Sequence, residues 1–181
     1  MIDLTAHMTA SQMAPVFGIA GLAGQLVWPL FRKRGSILIT QLAAACCFGT
    51  SYALMGQQTG AAVCLTGAMQ TTVALLAGDR PWLSRMGYVF LPAVLAIGAL
   101  TWSGLPTLFA VTACCLVMVA RLQADTLRMR RVQLTAAPFG MAHDTLIGAW
   151  PCLAAALLSF GIAASAYRRE LILRGVAAQA A

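Results

Sequence analysis

Seven apolar stretches follow one another along this chain, at 11–31, 36–55, 61–78, 86–102, 104–120, 132–149 and 151–167. Helical runs of about 20 apolar residues cross a bilayer, and somewhat shorter ones suffice. Between the stretches stand "RKRG", "GQQTG", "DRPWLSR", "SGLP", "RLQADTLRMRR" and "AWP", punctuated by Gly56, Gly60, Pro81, Gly104, Pro106 and Pro151. The composition leaves little choice of solvent. Of 181 residues, 60% are hydrophobic and 9% charged, against roughly a quarter charged in a soluble domain. Such a chain cannot cover a water-facing surface, so an all-α, polytopic membrane protein is expected. The fifth stretch is short and the last two nearly touch, so six helices with one long re-entrant segment is the alternative count.

Charge placement favours seven. The twelve basic residues are Arg32, Lys33, Arg34, Arg80, Arg85, Arg121, Arg128, Arg130, Arg131, Arg168, Arg169 and Arg174. With seven helices they follow the first, third, fifth and seventh, while the other turns and the first ten residues hold none. Short loops rich in Lys and Arg stay in the cytoplasm. The expected topology is therefore N-terminus outside and C-terminus inside. The net charge of +7 becomes a rim facing anionic headgroups. No folded soluble module presents it to nucleic acid. Asp3, with no basic residue near it, argues against a cleavable signal peptide.

Cys46, Cys47, Cys64, Cys114, Cys115 and Cys152 lie in or beside the spans without metal-ligand spacing. They read as small apolar packers, and neither metal nor cofactor is expected. Trp28, Trp82, Trp102 and Trp150 stand at span ends as interfacial anchors.

The chain also resembles itself. "QLAAACCFGTSYALMG" (41–56) aligns without gaps to "QLTAAPFGMAHDTLIG" (133–148), a shift of 92 that pairs Gln41 with Gln133 and Gly56 with Gly148. The match equates the first three helices with the last three and leaves 86–102 as a linker. One inserted helix gives both halves the same orientation, the parallel-repeat arrangement, with a site between the halves near the midplane. The expected parts are a first repeat at 11–78, the linker at 86–102, a second repeat at 104–167 and a cytoplasmic tail at 168–181. Gly18, Gly21 and Gly24 would let a neighbouring helix approach the first span closely.

The sixth span holds the costly residues. In "FGMAHDTLIGAW", His143 and Asp144 stand side by side in apolar surroundings. A carboxylate at the bilayer centre costs about 2.5–3.5 kcal/mol on insertion scales. The two point about 100° apart on a helix and cannot share one face. Asp144 shares its stripe with Gly140 and Gly148, an open face; His143 shares its stripe with Phe139 and Ile147. The repeat sets Ser51 and Tyr52 at the same depth. Ser51, Tyr52, His143, Asp144 and Thr145 are the candidate substrate or proton site, with a proton traded between carboxylate and imidazole. Structural pairing within the bundle, or snorkelling of Asp144 toward the headgroups, is the plainer reading. Gln41, Gln133, Gln70 and Thr71 are secondary polar candidates, although Gln in lipid more often glues helices. Pro29 and Pro138 are candidate hinges.

The runs "ALMGQQTGAAVCLTGAMQTTVALL" and "GMAHDTLIGAWPCLAAALLSFGIAASAYRR", with "GIAGLAGQLVWPLFRKR" near the start, resemble the YgjV-type bacterial inner-membrane proteins. That resemblance implies a likeness to SWEET, semiSWEET and PQ-loop transporters, built as three helices, a linker and three helices. It matches His143 to a family histidine and puts Asp144 where asparagine is usual. Gly67 and Gln70 stand where asparagine and arginine are frequent. The chain has no asparagine, the residue with which SWEET-like sites hold sugar hydroxyls, so a sugar is a poor fit. The expected function is small-solute transport at a midplane site, with a proton-linked mode open to it. The alternative is a non-transporting accessory or structural subunit, within a homo-oligomer or a larger complex. No nucleophile–base pair or phosphate-gripping loop appears, so no enzymatic activity is expected.

Overall fold

In the computed structural model, which describes residues 2–78 and 80–179, a helix occupies each apolar stretch in turn. Helix is what lipid demands, because only helices and closed barrels satisfy their backbone groups without water. The elements are α1 (Ile2–Val27), a 3-10 turn (Trp28–Leu30), α2 (Arg34–Leu54) and α3 (Gln58–Ala77). Then α4 (Pro81–Met86), a second 3-10 turn (Gly87–Val89) and α5 (Phe90–Leu100) run on as one helical segment. The last three are α6 (Leu105–Arg121), α7 (Thr126–Leu146) and α8 (Trp150–Gln179).

Two helices run beyond the apolar stretches that they contain. The first helix begins at Ile2 rather than near 11. The expected tail after 167 continues α8 to Gln179, and Glu170 pairs with Arg174 one turn on at 2.7 Å, which supports helix there. Among the described residues, Gln12–Leu30, Arg34–Leu54, Gly60–Ala77 and Trp82–Leu100 are long and apolar enough to cross a membrane. Leu105–Arg121 is a shorter apolar helix. The first turns of α7 are polar, with Arg128, Arg130 and Arg131 in them.

Lipid tails are as apolar as leucine, so helices in a bilayer associate through close packing and polar bonds. The glycine stripe of α1 supplies the packing. A Cβ on Gly21 would stand 2.9 Å from the Phe48 ring, and one on Gly24 2.9 Å from the Ala44 methyl. Thus α1 lies on α2; α2 packs on α3, α6 on α7 and α7 on α8, while α1 meets α8 and α3 meets α5 and α6.

Polar bonds close one end. Arg34 donates to the carbonyls of Gln123 (2.8 Å), Arg121 (2.9 Å) and Ala74 (3.2 Å). Arg130, 2% exposed, donates to the carbonyls of Pro29 (3.0 Å) and Phe31 and pairs with Glu170 at 3.2 Å. Ser84 donates to the carbonyl of Leu122 at 3.1 Å. The segments that carry the basic residues therefore gather at the same end of the bundle, over a core of Trp28, Ile37, Leu38, Ala74, Leu122 and Met129. Trp28 is a correction. It is buried in this core, whereas Trp82, Trp102 and Trp150 are exposed; the prolyl 3-10 turn after α1 folds it inward. At the same end Asp125 caps α7 by accepting from the Arg128 amide at 3.1 Å. The Arg174 guanidinium, 2.7 Å away, holds the Asp125 carboxyl below its ordinary range.

The shift of 92 recurs in the backbone. α2 spans 34–54 and α7 spans 126–146, displaced by 92 at both ends. Each ends in a glycine at positive φ, Gly56 (72°) and Gly148 (69°). The amide of Gln57 bonds to the carbonyl of Tyr52 and that of Ala149 to the carbonyl of Asp144, both at 2.8 Å. Ser51 Oγ donates to the carbonyl of Ala14 at 2.8 Å; His143 Nδ1 meets the carbonyl of Pro106 at 2.9 Å. All four residues obey the same offset.

Candidate functional site

Where α1, α2, α3, α6, α7 and α8 face one another they leave a cavity of about 420 Å³. Its walls are largely apolar, with Leu22, Phe48, Val117, Leu134 and Phe160 among them. Among the polar residues that line it are two pairs set 92 residues apart, Gln41 with Gln133 and Tyr52 with Asp144; Gln25, Arg121 and Ser159 line it without such a counterpart. Each pair is separated from the other by eleven residues of helix, about 16 Å at 1.5 Å per residue. The glutamines thus stand toward the basic end and the Tyr52–Asp144 layer toward the opposite one.

The helix periodicity explains which neighbour faces inward. Asp144 and Gly140, one turn apart, both line the cavity. His143, turned about 100° away, bonds to α6 through Pro106, and Phe139 on the same stripe meets Phe109 with ring centroids 6.3 Å apart. Of the five main candidates the structure brings Tyr52 and Asp144 to the cavity. Ser51 and His143 are each engaged with a backbone carbonyl of the preceding helix. Thr145 is exposed and donates to Met141 of its own helix at 2.8 Å.

Among the secondary candidates, Gln41 and Gln133 line the cavity while Gln70 and Thr71 do not. Gln70, fully buried, donates to the carbonyl of Met118 at 2.8 Å and ties α3 to α6. Thr71 bonds back to the carbonyl of Gly67 at 2.6 Å. The carbonyl of the hinge candidate Pro29 is held by Arg130, and Pro138 lies inside α7. Cys64 and Cys152 also reach the cavity as free thiols. No cluster of three or more His, Cys, Asp or Glu that could hold a metal occurs among the described residues.

Sequence reasoning missed Arg121. Placed on the cytoplasmic rim by its position after the fifth span, it instead turns into the cavity. Nε donates to Gln41 Oε1 at 3.1 Å and Nη1 to the Gly67 carbonyl at 3.4 Å.

Apolar helices long enough to span a bilayer, lining a half-open cavity with polar groups at two depths, define a multi-pass membrane protein. The chain belongs to the Imp-YgjV family of bacterial inner membrane proteins, whose sequence profile matches residues 12–170. No curated protein and no solved structure matches it.

Proposed function

We propose that this protein carries a small solute across the inner membrane, as two parallel three-helix repeats joined by a linker helix, with the solute held in the cavity between them. The observation that carries the reading is the cavity itself, with Gln41/Gln133 and Tyr52/Asp144 at equivalent positions of the two halves. An accessory subunit calls for a filled core and a large contact face; a carrier calls for a solute-sized space with polar groups near the junction of its repeats. The likeness to SWEET and PQ-loop transporters belongs to the same reading. So does the orientation, with the basic end in the cytoplasm as Lys- and Arg-rich loops dictate. Asp144 is the group placed to couple movement to protons, since an ionisable residue facing a cavity in the membrane is costly without a task.

Proteoliposomes containing purified protein, loaded in turn with monocarboxylates, sugars and amino acids, test this. Saturable uptake of one class is expected, abolished by the cavity-filling Ala137→Phe. Asp144→Asn is expected to remove its dependence on a pH gradient. Failure of every class to move, together with co-purification in a fixed ratio with another membrane protein, would replace the carrier by the accessory-subunit reading.

A further inference from the structure

Resting on the reading of this cavity as a solute site, we propose that its basic end recognises a carboxylate, making the solute a monocarboxylate with an apolar body. The chemistry starts from Arg121. Its two hydrogen bonds go to neutral oxygens, Gln41 Oε1 and the Gly67 carbonyl, through Nε and Nη1. Nη2 bonds to none of the described residues, and no carboxylate among them pairs with this guanidinium. A charge partly withdrawn from water and given only neutral partners is incompletely compensated. The guanidinium fork matches a carboxylate.

Gln133 is the independent observation. It is 7% exposed, it lines the same cavity, and both its amide nitrogen and its amide oxygen are buried without a hydrogen-bond partner. Buried side-chain amides are nearly always satisfied. That amide packs beside a cavity that also holds a guanidinium without a counter-charge, and a rotation of the side chain offers its N–H to a bound oxyanion.

The remaining lining sets the rest of the solute. Arg121 is the one cation among the described lining residues, and the Asp144 carboxylate stands at the other end. One positive charge suits one negative charge; a doubly charged phosphate or dicarboxylate would leave its second charge unmatched or facing Asp144. The walls between, including Leu22, Phe48, Val117 and Phe160, accept hydrocarbon. The 420 Å³ volume falls in the range of small-molecule sites, roughly 300–1,000 Å³.

The test is equilibrium binding to full-length protein in nanodiscs, using radiolabelled monocarboxylates from acetate to decanoate and benzoate, each against its neutral amide. At least one acid is expected to bind saturably, with its amide weaker by about tenfold or more, the loss of roughly one charge-assisted hydrogen bond. Arg121→Gln and Gln133→Leu are each expected to weaken that binding by about tenfold. Gln133→Leu guards against misfolding, because it keeps the side chain's bulk and removes an unpartnered amide. No acid preferred over its amide, or acid binding untouched by both substitutions, overturns the assignment. Carboxylate binding without flux leaves it standing and overturns the carrier reading. Flux of a neutral solute, undiminished by Arg121→Gln, does the reverse.

Discussion

Arg34, in the first turn of α2, donates through Nε to the carbonyl of Gln123 at 2.8 Å, across 89 residues of sequence. The bond joins the segment after the first span to the segment after the fifth, and Arg32, Lys33, Arg34, Arg121, Arg128, Arg130 and Arg131, in or beside these segments, are seven of the chain's twelve basic residues. The same side chain reaches the carbonyls of Arg121 and Ala74, so one guanidinium stitches α2, α3 and α6 together.

Arg34→Ala is expected to destabilise the protein by about 2 kcal/mol or more, as charge-assisted bonds to partly buried carbonyls are lost together. Arg34→Lys recovers part of this, because an ammonium is a point donor and cannot span three carbonyls as a fork does. Thermal unfolding in detergent measures both; equal midpoints for Lys and Ala would show that charge, not geometry, matters.

Asp125 supplies a pH dependence with a definite sign. The Arg174 hydrogen bond lowers its folded-state pKa below the ordinary 3.8. A depressed carboxylate stabilises the fold in full above its unfolded-state value, and that contribution is lost as pH falls through the folded-state value. The gap in melting temperature between wild type and Asp125→Ala should be constant above about pH 5 and narrow below the ordinary aspartate pKa. A gap that widened on acidification would contradict the ion pair.

Packing of α1 on α2 through Gly21 makes that position intolerant. Gly21→Leu must displace the Phe48 ring, which a Cβ alone would meet at 2.9 Å, and should cost about 1–3 kcal/mol. Gly35→Ala is the contrast. A Cβ there meets nothing within 4 Å, and its midpoint should stay near wild type or rise.

Ser51→Ala and His143→Ala remove two interhelical bonds set 92 residues apart in the chain. Each should cost about 0.5–2 kcal/mol, the range of interhelical bonds in membrane proteins. The double variant should show the sum, since the bonds lie at separate interfaces, α1–α2 and α6–α7. Marked non-additivity in unfolding would mean that the two interfaces move as one.

Much of this architecture was legible in the sequence. Hydrophobic length gave the helices, Gly56 and Gly148 marked equivalent turns, and the pairing of Gln41 with Gln133 led to two residues of one cavity wall. The sequence also separated Asp144 from His143 by stripe, since Gly140 leaves room where Phe139 does not. It could not say which of a span's terminal residues turns inward. Arg121 and Trp28 sit where a cation and an indole ordinarily seek the headgroups, and only the fold of the neighbouring turns draws them in. Arg130 is similar: three carbonyl and carboxylate oxygens from distant segments replace its water, and nothing near it in sequence announces them. Charge counts locate the end of a helix; they are silent on azimuth.

Trp28 therefore offers something practical. The indole lies at the wall of the cavity beside the 3-10 turn, while the other three tryptophans stand on the outer surface. With those three changed to phenylalanine, the molecule would carry a single tryptophan, its emission colour on selective excitation a gauge of wetting at that end of the cavity.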